Sequence, residues 1–96
     1  MRIEITPAAQ ADVDAIIRYS RAEHGQIAAD EYIALFYARL DRLSSFPEIG
    51  ATTGRKRGTR RLSFGRHTMY YEIHGDLVLI VRVLHQAMDV GKRLKR

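Results

Sequence analysis

The sequence predicts an α+β domain with the element order βααβββ, a helical hairpin packed on one face of a mostly antiparallel sheet of three to four strands. Three observations carry this expectation. Two successive stretches repeat apolar residues at the helical period and are joined only by His24-Gly25-Gln26. A loop rich in turn formers is followed by three segments with strand-like alternation. One further alternating segment, Arg2 to Thr6, opens the chain and is expected to lie beside the last strand.

Arg2 to Thr6 places Ile3 and Ile5 on one side of a strand. Thr6-Pro7 then starts a helix. Threonine offers its hydroxyl to an orphan N–H, and proline suits the first helical position because its missing donor would be unsatisfied there anyway. Asp12 and Asp14 are expected early in this helix, where its dipole tolerates negative charge. Ala9, Val13, Ile16, Ile17 and Ser20 fall on one face of a 3.6-residue period. Gly25 closes the helix. A second helix is expected from about Ile27 to Leu43 or slightly beyond, with Ala29, Tyr32, Ile33, Phe36, Leu40 and Leu43 in one stripe. The short link makes the two helices antiparallel neighbours. Phe46-Pro47 ends the second helix, because the residue before proline disfavours helical backbone.

From Pro47 to Thr59 the turn formers Pro47, Gly50, Gly54 and Gly58 predict a loop. Arg60 to Phe64 reads as a short strand with Leu62 and Phe64 on one side. Gly65-Arg66 reverses the chain into His67 to His74, where His67, Met69, Tyr71 and Ile73 alternate against Thr68, Tyr70, Glu72 and His74. Gly75-Asp76 is a two-residue hairpin turn whose first position suits glycine at positive φ. Leu77 to Leu84 is the most apolar strand. Leu77, Leu79, Val81 and Val83 are expected on one face and Val78, Ile80 and Leu84 on the other, so the strand is expected to be central and covered on both sides. Asp89 to Leu94 is expected to add a helical turn, with a frayed basic tail over residues 92–96.

The 96 residues fit a single domain, 1–96. No apolar run approaches the eighteen or more residues of a membrane span, and the alternating N-terminus does not build a signal-peptide core. With no cysteine, neither a disulfide framework nor a zinc-thiolate site is available. A cytoplasmic location is expected. The net charge of +5 hides an asymmetry: residues 1–50 carry five cations against eight acids, and residues 51–96 carry eleven against three. The basic second half calls for an acidic partner, whether nucleic acid, a nucleic-acid-bound enzyme or an acidic protein. Two helices can roof only one face of a sheet. The pattern therefore leaves Tyr70, Val78, Ile80 and Leu84 in need of cover on the other face, which points to a protein partner.

Little in the sequence points to hydrolytic chemistry. The serines have no nucleophile-elbow context, the acids sit mostly on solvated helix faces, and the four histidines lack ligand spacing. No cofactor or metal is expected. One catalytic arrangement remains. Arg55, Lys56, Arg57, Arg60, Arg61 and Arg66 cluster without an intervening acid, near His67, Tyr70, Tyr71, Arg82 and His85. A metal-free ribonuclease needs a base for the ribose 2′-hydroxyl, cations for the phosphate and an acid for the leaving oxygen. Arg61, His67, Arg82 and His85 are the candidates for that set. The alternative is a solvated basic rim that binds a partner.

The segment Ile5-Thr6-Pro7-Ala8-Ala9 with Asp12-Val13, Ile16, Tyr19 and Ala28-Ala29 resembles the start of ParE-type toxins of the ParE/RelE superfamily. So does Phe46-Pro47-Glu48-Ile49-Gly50. More specific are Arg60-Arg61, Tyr70-Tyr71-Glu72-Ile73 and the ending from Ile80 through Val83-Leu84-His85 to Asp89. The resemblance runs from about Ile3 to Leu94. It implies the same βααβββ fold, a ParD-like antitoxin whose C-terminal segment wraps the toxin, and DNA gyrase as target, stalled on cleaved DNA. RelE-like relatives share the fold but cut mRNA on the ribosome. In those relatives a catalytic cation often stands on the strand equivalent to His67–Ile73; here Thr68 and Met69 occupy that stretch and Arg66 is displaced to the turn. The chain also continues past His85. Both departures favour the gyrase branch. By this resemblance Arg60, Arg61, Arg82 and His85 form a polar surface for gyrase or antitoxin, and Tyr70, Val78, Ile80 and Leu84 anchor the antitoxin.

Overall fold

The structure, a computed structural model, describes residues 1–54 and 58–86. The elements run β1 (Arg2–Ile5), α1 (Pro7–His24), α2 (Gln26–Ser45), β2 (Ala51–Thr52), β3 (Thr59–Phe64), β4 (His67–His74) and β5 (Leu77–His85). The helical hairpin packs on one face of a five-stranded sheet of order β1-β5-β4-β3-β2. β1 lies parallel to β5, and the other pairings are antiparallel. The expected architecture holds with a higher strand count, because Ala51 and Thr52, expected as loop, pair with Arg61 and Arg60. The helical turn expected at Asp89–Leu94 and the tail at 92–96 lie outside the described residues, as do Arg55, Lys56 and Arg57.

The local signals act as their chemistry requires. Thr6 caps α1, its hydroxyl accepting from the Ala9 N–H at 3.1 Å. The same hydroxyl donates to the Val81 carbonyl at 3.0 Å, so one side chain both starts the helix and fastens it to β5. The helix begins at Pro7 and has no acid in its first turn; Asp12 and Asp14 therefore lie beyond the reach expected of the helix dipole. Gly25, at φ 92°, is the single residue between the helices, closing one and opening the other. A side chain there would strain a backbone that glycine adopts freely.

The core lies between the hairpin and the sheet. Ala9 and Val13 from α1 and Phe36 and Leu43 from α2 meet Phe64, Met69, Tyr71, Val78, Ile80 and Val83. Two expectations are corrected here. Val78 and Ile80 are fully buried beneath the helices and are not on the opposite face. The apolar partition of β5 also differs, because the β4–β5 register shifts between Tyr70 and Tyr71: Tyr70 faces Arg82, Tyr71 faces Ile80, and Val81 is the extra residue. This bulge moves Val83 onto the same face as Val78 and Ile80. Strict alternation cannot anticipate one inserted residue.

The far face is not bare either. Tyr70 and Leu84 are 3% and 2% exposed and form a second small cluster with Val81, and Thr59 and Thr68 are buried as well. The open apolar face inferred from two helices against one sheet is therefore largely closed.

Tyr71 shows how the segment after α2 is held. Its buried hydroxyl donates to the Pro47 carbonyl at 2.7 Å and accepts from the Gly50 N–H at 2.8 Å. Arg60 adds hydrogen bonds to the carbonyls of Gly50 at 2.8 Å and Glu48 at 3.2 Å. A Cβ on Gly50 would come within 2.6 Å of the Arg61 carbonyl and the Tyr71 hydroxyl, so this approach requires glycine. Replacing Tyr71 with Phe orphans the buried Gly50 N–H, and we expect a loss of about 1–2 kcal/mol. Urea denaturation checks this, as a midpoint shift at unchanged slope.

Candidate functional site

A cleft of about 600 Å³ opens beside α1 and the ends of β4 and β5. Its walls are apolar, formed by Ala15, Ile16, Tyr19 and Val83. Its polar end gathers His24, Tyr32, Arg66, His67 and His85, with Asp12 and Ser20 nearby.

Each side chain has a structural reason to be there. Tyr32 lies in the apolar stripe of α2, and its hydroxyl needs partners where the ring is half-buried. It bonds His67 Nδ1 at 2.7 Å and accepts from the Arg66 N–H at 2.7 Å. The close approach is possible because Gly65 leaves room; a Cβ there would meet the Tyr32 ring at 2.5 Å. His67 stacks on Phe64 with ring centres 5.9 Å apart and meets His85 edge-on at 5.1 Å. Burial first, and then the neighbouring His85, push the His67 imidazole down to about 4. His67 is therefore neutral near pH 7 and able to exchange a proton only with a group that stabilises its charge.

A second cluster fixes the floor. β1 pairs with β5 only as far as Ile80, which leaves the rest of that edge of β5 without a neighbouring strand. Asp12 of α1 fills the place. It accepts from the Val83 N–H at 2.9 Å and binds the Arg82 guanidinium in a two-pronged contact of 2.8 and 2.9 Å. Both side chains are largely shielded, at 21% exposure for Arg82 and 15% for Asp12. The hydrogen bonds that Arg82 donates to the Asp12 carboxylate raise its pKa further above its already high range.

The expected site residues do not form one surface. His67 and His85 come together. Arg61, paired opposite Tyr70 on the sheet face away from the helices, is remote from both and exposed. Burial raises the Tyr70 phenol, against a lowering pull from Arg61. Arg60 is taken up by the carbonyls of Glu48 and Gly50, and Arg82 by Asp12. Val78 and Ile80 are inaccessible. Sequence reasoning overlooked Asp12 and Tyr32. A signal existed for each: Asp12 sits three residues after Ala9 and four before Ile16, beside the buried stripe, and Tyr32 carries a hydroxyl within a stripe otherwise made for the core. Among the described residues, no group of three or more His, Cys, Asp or Glu could hold a metal ion. No described helix is long and apolar enough to cross a membrane.

With this geometry established, similarity to known proteins is decisive. A family model described as the ParE toxin of the type II toxin–antitoxin system parDE matches residues 3–90. The chain belongs to the ParE toxin family. Toxin ParE1 of Mycobacterium tuberculosis is 37% identical over 95 residues, covering 97% of each chain. Toxin ParE1 of Caulobacter vibrioides is 34% identical over 87 residues, covering 90% of each. Among solved structures, the chromosomal ParDE toxin–antitoxin system of P. aeruginosa matches with a TM-score of 0.77 at 22% identity, over 88% of this chain and 95% of that one. The RelBE2 toxin–antitoxin complex of M. tuberculosis matches with a TM-score of 0.58, also at 22% identity, over 88% and 96% of the two chains. At such identities these two establish the shared fold. This ParE-family toxin thus has the α+β architecture of both branches.

Two outcomes test the geometry. Asp12→Ala leaves a shielded guanidinium and a backbone N–H without their acceptor, and we expect a loss of about 2–4 kcal/mol in chemical denaturation. Asp12→Asn keeps an acceptor for Val83 and is expected to lose less. The second concerns pH. Because the folded His67 value lies below the unfolded one, the unfolded chain binds more protons in the interval between them. Stability from this group is present above about 6.5 and is lost as pH falls towards about 4. Allowing for the ring's partial exposure, the loss is about 1–2 kcal/mol. Thermal melts across that interval are expected to fall less steeply for His67→Gln than for the parent.

Proposed function

We propose that this ParE-family toxin acts by binding DNA gyrase and stalling it on cleaved DNA, and that a ParD-like antitoxin holds it inactive by direct contact. The family match over residues 3–90 and the near full-length likeness to proteins named Toxin ParE1 support the toxin role. Structural neighbours that are toxin–antitoxin complexes support the antitoxin.

The observation that carries the gyrase reading over RNA cleavage is the dispersal of the basic residues. A metal-free ribonuclease needs its proton-transfer groups and its phosphate-binding cations around one scissile bond. In this chain Arg61 and His67 lie on opposite faces of the sheet, and Arg82 is committed to Asp12. Binding makes no such demand, since a cation can contribute wherever it meets an acidic partner. Arg61, exposed on the far face, is suited to that role, and His85 to a contact at the cleft. The runner-up, a ribosome-dependent endoribonuclease, draws its support from the His67–His85 ring contact, which places two imidazoles where protons could be exchanged.

Purified chain added to gyrase, supercoiled DNA and ATP is expected to trap broken DNA that appears as linear molecules after protein denaturation, and prior addition of antitoxin is expected to prevent it. Arg61→Glu is expected to weaken gyrase inhibition or antitoxin binding at least about tenfold with an unchanged melting temperature. Unimpaired gyrase together with cleavage of ribosome-bound mRNA would establish the runner-up instead.

A further inference from the structure

The outer side of α2, turned away from the buried Phe36 and Leu43, carries large apolar side chains in solvent. Ile27, Leu35 and Phe46 are 77%, 41% and 55% exposed, although residues of this kind are usually found inside. Glu31, Ala38 and Arg42 stand between them and are exposed as well. The six positions are separated by 4, 4, 3, 4 and 4 residues, the steps that join neighbours on one helix face. That spacing reads the same in both directions. Reversing the order sets Ile27 against Phe46, Glu31 against Arg42 and Leu35 against Ala38, so apolar meets apolar, acid meets base and large meets small. Glu31 and Arg42 make no ion pair among the described residues. The guanidinium of Arg42 lies over the Phe46 ring at 5.3 Å, which gathers both at one end of the stripe. Asp30 and Asp41 lie about a quarter-turn round the helix from the midline of the stripe, where solvent screens them.

We infer that this stripe docks a second copy of the chain, with the two α2 helices antiparallel about a twofold axis. In a twofold contact, residue i of one copy meets residue j of the other, and j meets i. A surface built for this must be complementary to its own reversal, as the stripe is in spacing, size and charge. An unrelated partner imposes no such symmetry, and this is what favours a second copy as the occupant. Glu31 meets Arg42 twice, once on each side of the axis. Leu35 packs over Ala38 at the centre, where the small side chain lets the helix axes approach to about 8–10 Å. The contact covers an exposed apolar patch that otherwise stays in water. A single helix pair about 30 Å long buries less than the ~1,200 Å² of a standard stable interface, so the dimer is weak, with half-association expected near about 0.1 mM. The inference stands apart from the choice of toxin target.

Sedimentation equilibrium of the full chain from about 10 μM to 1 mM tests it, with an average mass expected to rise from one copy towards two. Glu31→Arg and Arg42→Glu are each expected to weaken association at least about tenfold, because each change acts twice across the axis. An equimolar mixture of the two variants is expected to associate again, since one copy then presents two cations and the other two acids at these positions. The double variant Glu31→Arg/Arg42→Glu is expected to associate as the parent does. The mixture also separates charge from packing, because Arg42→Glu loses its contact with the Phe46 ring whether or not the other variant is present. Leu35→Asp is expected to abolish association, with the melting temperature of the dilute chain unchanged. A mass that stays at one copy up to about 1 mM overturns the inference. So does a mixture that associates no better than either variant alone, or association of the single charge variants equal to that of the parent.

Discussion

The carboxylate of Asp12 is the contact on which the arrangement depends. A sheet edge without a neighbour presents unpaired backbone groups, and β1 is too short to serve all of β5. α1 takes over where β1 stops. Thr6 bonds the Val81 carbonyl, and Asp12 bonds the Val83 N–H while gripping Arg82. The helix thereby acts as a substitute strand. Because α1 is fixed in this way, its next turns carry Ile16, Tyr19 and His24 to the edge of the cleft, opposite the histidines of β4 and β5.

That contact also sorts the basic residues. The net charge is +5, yet the structure commits several of the cations internally. Arg82 serves α1, Arg60 holds the segment after α2, and Arg39 donates to the Ser63 carbonyl. Arg61 on the far face and Arg66 at the cleft are the exposed cations of the β3–β4 region. They lie on separate surfaces, so the molecule is better arranged to meet partners at more than one place than to concentrate charge on one phosphate.

Most of the fold was legible because its signals are local. Thr6-Pro7, Gly25, Phe46-Pro47 and Gly75-Asp76 each terminate or start an element by a preference of the residue itself, and the helical stripes follow from period alone. Apart from the placing of Asp12 and Asp14 in α1, the differences are non-local. The bulge at Val81 depends on the partner strand, so the faces of β5 were divided wrongly and Val78 and Ile80 were assigned to a surface they do not reach. The pairing of Ala51 and Thr52 depends on where Arg60 and Arg61 come to lie. The site was legible in its residue types and less so in their grouping. His67 and His85 are eighteen positions apart and meet because β4 and β5 pair in register, whereas Arg82 reaches across seventy residues to Asp12.

The claim that α1 completes the β5 edge is tested most directly by hydrogen exchange at the Val83 amide. If Asp12 holds that N–H as a ladder partner would, its protection in the free toxin matches that of the paired amides in the middle of β4 and β5. Exchange at the rate of an exposed strand edge would contradict the account.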